Sequence, residues 1–341
     1  MNQLTTRRIW QMALFVLLLV GTIWVIRDSR KPVPYQKCDG NIFGTTYHII
    51  YQSRQSLFRD IREQLEEVDR SLSTFNKKST ISLINNNKSF ATDTLFRQVF
   101  RKAVEVSKTT DGAFDITVAP LVNAWGFGFK NSGNIKREQI DSLLQYVGYD
   151  KVHLQGQRIV KQYPSVMLDC SAIAKGFGCD CVAALLQKKG IENYLIEIGG
   201  EICAKGVNEQ QKNWTIGITK PQDDNTNAQQ PLQNILQLTD VALATSGNYR
   251  NYYFKDGKKY AHTIDPKTGY PVQHSILSAT VIAPTCTEAD AFATAFMVMG
   301  LDKAQEVLQN NDQLQVYFVY ADSIGSFQSW CSPSLTSKIL K

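Results

Sequence analysis

The chain has 341 residues, of which 43% are apolar and 20% charged, as is typical of a globular protein with a substantial core. Residues 1–39 hold six basic and two acidic residues, so this short segment carries +4 of the formal net charge of +6. The rest of the chain is nearly neutral, so its charge gives no case for nucleic-acid binding.

The cysteines argue against a zinc site of the usual spacing and against a disulfide scaffold. There are seven of them, none forms a Cys-x-x-Cys pair, and the odd number does not suit a disulfide scaffold. We expect most of them to be small buried apolar residues. They stand at Cys38, Cys170, Cys179, Cys181, Cys203, Cys286 and Cys331.

The N-terminal segment predicts a membrane anchor. Residues 12–26 carry no charge, and with Ile9 and Trp10 the apolar run nears the roughly 20 residues that span a bilayer. Arg7 and Arg8 precede it, and no small-x-small cleavage site follows. We therefore predict an uncleaved anchor, with a cleaved signal peptide as the alternative. The predicted segments are a cytoplasmic tail at 1–8, the anchor at 9–26, a linker at 27–40 and an exported body at 41–341, in the periplasm or outside the cell.

In the first half of the body, some stretches have a clear periodicity of apolar residues and others have none. Residues 45–51 predict a strand, and apolar residues at steps of three and four predict helices over 57–72 and 95–106. Residues 111–127 are rich in glycine and aromatic residues without clear periodicity. Such a stretch can stack on a planar ligand, or it can be a well-packed core loop.

In the middle of the chain, a helix is predicted at about 136–147, and short strands follow around 152–168. Residues 168–176 then predict a strand that turns into a helix running to Gly190. Lys175 falls in the first turns of this helix, where a cation opposes the helix dipole. An anionic ligand at the helix start would account for it, and a solvated lysine is the alternative.

Farther along, a strand at 194–198 ends in a tight turn at Gly199-Gly200. Residues 222–231 predict a mobile surface loop. His262 stands at a strand end, just before the turn signal of residues 265–269, where catalytic side chains often lie; a lone histidine can equally be structural.

The stretch 285–300 predicts one helix with two polar side chains in an apolar surface. Thr285 and Glu288 have capping-box spacing, and Gly300 suits the end of the helix. Asp290 and Thr294 lie one turn apart on the same face. Their oxygens are ligands that Mg²⁺ takes. The alternative is that Asp290 caps through Thr287 and that Thr294 bonds back to a carbonyl.

Strands and helices alternate irregularly, so we predict an α+β fold. The motifs, in this order, resemble the ApbE-type FAD:protein FMN transferases over roughly residues 40–335. The resemblance implies a compact, two-lobed, T-fold-like domain. The motifs that carry it lie at 44–47, 73–85, 112–126, 169–176, 197–200, 245–247, 262–271 and 290–295.

The resemblance also implies a reaction and its partners. Members of this family split FAD, attach FMN through a phosphoester to a threonine hydroxyl of a partner protein and release AMP. The partner is typically a flavin-carrying subunit of a membrane redox complex. An FAD hydrolase with the same site and a non-catalytic, membrane-tethered flavin-binding protein are the alternatives. The chain lacks the family's acceptor motif, Asp-x-x-Ser/Thr-Gly/Ala/Ser-Ala/Thr-Thr, so it is expected to be the enzyme rather than its substrate.

Site residues follow from the resemblance position by position. It implies Mg²⁺ ligands at Asp290, Thr294 and the backbone oxygen of Ala172, with His262 and Lys175 as the catalytic candidates. The positions expected to contact FAD are Phe43, Phe75, Ala113, Phe114, Asp115, Lys175 and Ile264. This sequence departs from the family pattern at Cys170-Ser171, Thr80 and Phe75, where Leu-Gly, Glu and Tyr are common. These departures touch the flavin pocket and leave the implied metal ligands in place.

Overall fold

The computed structural model describes residues 3–29, 32–128, 135–219, 232–247, 252–255, 258–273, 276–322 and 326–340. The loop expected at 222–231 lies outside these residues. Helix α1, Gln3–Ser29, contains the predicted anchor. Among the described residues, no helix is long and apolar enough to cross a membrane.

The helices of the body follow the apolar periodicity of the sequence. Those over 57–72, 95–106 and 285–300 occur within a few residues of their predicted bounds, each with its apolar face buried. The helices are α2 Phe58–Leu72, α3 Thr80–Asn85, α4 Thr94–Thr109, α5 Ala119–Ala124, α6 Arg137–Leu144, α7 Ala174–Lys188, α8 Cys286–Met299 and α9 Leu301–Gln309.

The strands form one large antiparallel sheet and smaller ones. The strands are β1 Tyr35–Ile42, β2 Thr45–Gln52, β3 Val152–Gln155, β4 Arg158–Lys161, β5 Tyr194–Ile198, β6 Glu201–Lys205, β7 Trp214–Thr219, β8 Leu232–Leu238, β9 Val241–Gly247, β10 Tyr252–Lys255, β11 Lys258–Ala261, β12 Ile276–Ala283, β13 Gln315–Ala321, β14 Phe327–Cys331 and β15 Ile339–Leu340. The large sheet has the order β1-β2-β5-β6-β9-β12-β13-β14, and a second sheet has the order β15-β8-β7.

The large sheet separates two apolar layers. On one face, α7 packs against β5 and β6, and α8 packs against β9 and β12. On the other face, Leu243 and Ile282 pack against Ile216 and Leu236 of the smaller sheet. Because side chains alternate along a strand, each central strand contributes to both layers. The result is an α+β fold, as predicted.

One predicted boundary is wrong. Residues 35–40, expected in the linker, form most of β1, which pairs with β2 along its length, from Tyr35 opposite Gln52 to Ile42 opposite Thr45. Cys38 is buried there. The proline-containing composition of this segment is typical of a linker. The strand forms because it pairs with β2, a contact that composition does not indicate.

Candidate active site

Helix α8 presents Asp290 from a position fixed by two caps. The Thr285 hydroxyl accepts a hydrogen bond from the Glu288 amide at 3.2 Å, as the capping-box spacing predicts. The second cap comes from α7, where the Asp180 carboxylate accepts hydrogen bonds from the amides of Cys286 at 2.9 Å and Thr287 at 2.8 Å. The start of α8 is therefore fixed against α7.

The two helices touch where α7 begins. A Cβ built on Gly176 would lie 2.2 Å from the carbonyl oxygen of Cys286 and 2.8 Å from Cβ of Asp290, so only glycine permits this approach. The Gly176 amide donates to Oδ2 of Asp290 at 3.0 Å. Asp290 thus accepts from a helix-start amide of another helix, and the alternative that it caps through Thr287 is wrong. The hydroxyl of Thr287 instead donates to Asp180.

Lys175 joins this contact from the first turn of α7. Its Nζ lies 3.1 Å from Oε1 of Glu201 and 3.8 Å from Oδ1 of Asp290. Asp290 is 2% exposed and Glu201 3% exposed. Lys175 is therefore paired with a carboxylate rather than freely solvated, which corrects the solvated alternative.

Burial and the neighbouring charges have opposite effects on the pKa of Lys175. Burial lowers the pKa of Lys175, but the carboxylates of Asp290 and Glu201 more than offset this effect, so the pKa is raised and the ammonium stays charged. Burial raises the pKa of Glu201, Lys175 opposes the rise and Asp290 adds to it. Two buried carboxyl groups therefore lie beside one ammonium.

Thr294 lies one turn along α8 from Asp290, as the spacing predicts. Its Oγ1 lies 3.2 Å from Oγ of Ser246 on β9, so it bonds to a hydroxyl of the sheet rather than back to a helix carbonyl. Ala172 precedes α7 and is half-buried. Asp290 and Thr294 thus lie on α8, and Ala172 lies just before α7. Gly176 allows these two helices to come into contact.

The loop that carries His262 is fixed by a separate set of contacts. His262 follows β11, and its ring meets Phe127 edge-on, with 6.4 Å between the ring centroids. Farther along the loop, the carbonyl of Gly269 accepts a hydrogen bond from the Trp125 indole at 2.8 Å. Lys267 also forms an ion pair with Asp111. These contacts attach the His262 loop to the glycine-rich stretch 111–127.

That glycine-rich stretch connects in turn to the start of α7. Asp115 caps a 3-10 helix at Ile116–Val118 by accepting from the amide of Thr117 at 2.8 Å and from its hydroxyl at 2.7 Å. The Ile116 carbonyl then accepts from the Asp169 amide at 2.7 Å. The His262 loop therefore contacts the stretch 111–127, and this stretch contacts the segment that leads into α7, although the three are far apart in sequence.

The positions expected to contact FAD fall into three environments. Phe75 is 77% exposed, and Phe43 lies in the β1–β2 turn with a φ of 52°. Lys175 lies in the charged group described above. The side chains of the remaining four, Ala113, Phe114, Asp115 and Ile264, are buried in the protein itself. These positions remain a prediction, since the structure shows where they lie and not what they bind.

Reasoning from the sequence missed Glu201 and Asp180. Glu201 directly follows the Gly199-Gly200 turn, and in β6 it shares a face with the buried Cys203. This two-residue alternation is a signal that the side chain points into the protein. Asp180 had no comparable signal, because the α8 amides that it caps are more than 100 residues away. The cysteines fit the prediction, since Cys38, Cys170, Cys179, Cys203 and Cys286 are buried.

The residues fit a hard divalent cation. All three implied donors are oxygens, which Mg²⁺ prefers. The Oε2 atom of Glu201 is buried without a hydrogen-bond partner among the described residues, so the group has unused acceptor capacity. The described residues contain no cluster of three or more His, Cys, Asp or Glu side chains placed to hold a metal. The implied set has a single such side chain, Asp290, and would rely on substrate oxygens.

Comparison with known proteins gives consistent results. The model of the ApbE family matches residues 43–318. The FAD:protein FMN transferase of Vibrio cholerae is 38% identical over 338 residues, covering 96% of this chain and 98% of the relative. That of Haemophilus influenzae is 40% identical over 320 residues, covering 89% and 91%.

Solved structures show the same similarity. A flavin transferase ApbE from Vibrio cholerae superposes with a TM-score of 0.81 at 36% identity, covering 90% of this chain and all of the other. The apo flavinyl transferase ApbE of Pseudomonas stutzeri gives a TM-score of 0.80 at 29% identity, covering 91% and 98%. The order of motifs, the fold and these relatives agree that the chain belongs to the ApbE family.

Proposed function

We propose that this chain is a magnesium-dependent transferase that moves FMN from FAD to a threonine hydroxyl of a partner protein and releases AMP. Transfer of FMN from FAD to a protein follows from the family and from the names of relatives that match nearly the whole chain. The magnesium dependence, the threonine and a flavin-carrying subunit of a membrane redox complex as the partner are the finer parts of the proposal.

One observation carries the proposal. Asp290 is buried, its Oδ2 is held by the Gly176 amide, and its Oδ1 faces Lys175 from beyond hydrogen-bond range. A helix start, an ammonium and a carboxylate with an open oxygen together suit a diphosphate with its cation. Bound Mg²⁺ would neutralise charge on the pyrophosphate and stabilise the leaving AMP.

The chain's own residues then position and activate the reactants. Lys175 would hold phosphate oxygens, because phosphoryl transfer depends chiefly on positioning and charge neutralisation. Threonine is a weak nucleophile near neutral pH. His262 would take the proton of the attacking hydroxyl as a general base. Asp290, Thr294 and the Ala172 carbonyl would hold the cation.

We also propose that the body works on the outer side of the cytoplasmic membrane. The support is the sequence alone, in which Arg7 and Arg8 precede the uncharged run 12–26. Protease added to intact spheroplasts should digest the body of a tagged full-length chain. Protection of the body until the cells are lysed would contradict this placement.

The reaction is tested with the full chain, FAD, Mg²⁺ and an acceptor domain bearing the threonine motif. Flavin fluorescence that survives denaturing electrophoresis should appear on the acceptor, with one AMP released per flavin attached. The matched control is an acceptor whose motif threonine is replaced by alanine. A fluorescent band on that control, or transfer that persists after Mg²⁺ is chelated, would contradict the finer proposal.

The same assay tests the two alternatives. AMP released without any acceptor would support a hydrolase that uses water in place of threonine. Tight FAD binding without AMP, across a panel of acceptors, would support a flavin carrier. Either result, with no fluorescent band on any acceptor of the panel, would overturn the transferase.

A further inference from the structure

The three charged side chains of the site are held at unequal distances. Nζ of Lys175 lies 3.1 Å from Oε1 of Glu201, whereas 3.8 Å separates it from Oδ1 of Asp290. The first distance is that of a hydrogen-bonded ion pair, and the second exceeds hydrogen-bond range. Lys175 is therefore bonded to Glu201 and only faces Asp290.

A small movement would change this arrangement. A lysine ammonium on its four-carbon stem is flexible, and a shift of about 1 Å would give a charge-assisted hydrogen bond to Asp290. Such a bond would bring the positively charged ammonium against Oδ1. Because Oδ2 already accepts from the Gly176 amide, both carboxylate oxygens of Asp290 would then be occupied. A divalent cation would then have to displace the ammonium to reach Asp290.

Glu201 is placed to prevent that shift. Its side chain is buried, and Oε2 has no hydrogen-bond partner among the described residues, so the carboxyl group is held there at a cost in free energy. The turn before it also guides the lysine, because a Cβ built on Gly199 would lie 3.2 Å from Cδ of Lys175. The stem of Lys175 thus runs along the turn that delivers Glu201.

We propose that Glu201 is a positioning residue that holds the Lys175 ammonium away from Oδ1 of Asp290 and so keeps this oxygen open to a divalent cation. The inference rests on the proposed function, because it requires the cation at Asp290. Glu201 acts through Lys175, so its effect should disappear when Lys175 is removed. A residue that attracts the cation by its own charge would keep its effect.

The test measures cation affinity rather than activity. Mn²⁺ is titrated into the full chain, alone and with FAD, and the free ion is followed by electron paramagnetic resonance. Glu201→Leu removes the acceptor, and Glu201→Gln keeps an uncharged one. Both changes are made in the natural chain and together with Lys175→Met. Glu197→Gln is the matched control, because Glu197 flanks the same turn and accepts from the Gly200 amide.

In the natural chain, Glu201→Leu should raise the dissociation constant of Mn²⁺ about tenfold or more, the range found for residues that orient metal ligands. Glu201→Gln should raise it less, because it still accepts from Lys175. With Lys175→Met, Glu201→Leu should change it less than about twofold, and Glu197→Gln should leave it unchanged. If Glu201→Leu does not fold, the paired Glu201→Gln variants carry the same comparison.

Two results would overturn the inference alone. An equal loss of affinity with and without Lys175 would mean that Glu201 acts by its charge, and no loss would mean that it does not act on the cation. A different result would overturn the cation assignment itself: Asp290→Asn leaving Mn²⁺ binding unchanged. The two failures are therefore distinguishable.

Discussion

Asp290 is the residue on which the proposed chemistry depends most directly. Its Oδ2 is fixed by an amide of α7, so replacing the carboxylate with an amide keeps the size of the side chain and removes its charge. Asp290→Asn should lower FMN transfer by about 10³-fold or more, because the cation loses its one charged ligand. AMP release at saturating FAD measures this effect.

Asp302→Asn is the matched control, because Asp302 is an exposed carboxylate of α9. Its rate should equal that of the natural chain. Full transfer activity in Asp290→Asn would remove Asp290 from the set of cation ligands.

His262 is predicted to act on the nucleophile and not on FAD. His262→Ala should slow transfer by about 10²–10⁴-fold, the usual contribution of a general base, and leave the dissociation constant of FAD within about threefold. Stopped-flow transfer rates and equilibrium flavin fluorescence separate the two quantities. His153→Ala, at an exposed position of β3, is the control. Loss of FAD binding in His262→Ala would instead make His262 a structural residue of its loop.

Residue spacing explains why part of the site could be predicted. Asp290 and Thr294 could be assigned to one face because both lie in a single helix, where spacing fixes direction. Glu201 could not be assigned to Lys175, since their contact joins a strand to a helix that precedes it by more than ten residues. The residues around each position do not indicate a contact between elements that far apart in the chain.

At the scale of elements, the approach of α7 to α8 depends on Gly176. Gly176→Ala should destabilise the protein by at least about 2 kcal/mol, because the new Cβ would meet the backbone oxygen of Cys286, which cannot rotate away. Separation of the helices would also move Asp290 from Lys175. Urea unfolding measures the free-energy change.

The same helix offers a matched comparison. A Cβ on Gly178 would meet the ring of Phe43 at 2.8 Å, and a ring can turn aside. Alanine also favours the helix over glycine by about 1 kcal/mol. Gly178→Ala should therefore destabilise the protein clearly less than Gly176→Ala. Equal losses would show that the close helix approach is not the cause.

Elements were predictable where periodicity is local, and they were not where pairing is distant. The helices over 57–72 and 285–300 have one apolar face each, which the sequence displays directly. Strand β1 lacks such a pattern, with only Cys38 fully buried. Its strand conformation comes from pairing with β2, which the pattern of its own residues does not indicate.

For the whole molecule, the site predicts a link between ligands and stability. Anything that binds only the folded state stabilises it, by about 2.7 kcal/mol at one hundred times the dissociation constant. Thermal unfolding should therefore shift upward with FAD, and further when Mg²⁺ is added. The Mg²⁺ increment should vanish in Asp290→Asn. An equal increment in that variant would place the stabilising cation elsewhere.

The cap that Asp180 places on α8 also bears on the order of folding. The first amides of α8 are satisfied by a carboxylate 106 residues earlier in the chain. Helix α8 therefore cannot acquire its native start until α7 has docked, and closing so long a loop is slow. We expect α8 to be among the last helices to become protected during refolding. Asp290 would then appear in its final position only as the chain completes its fold, so partly folded chains would not present the assembled cation site.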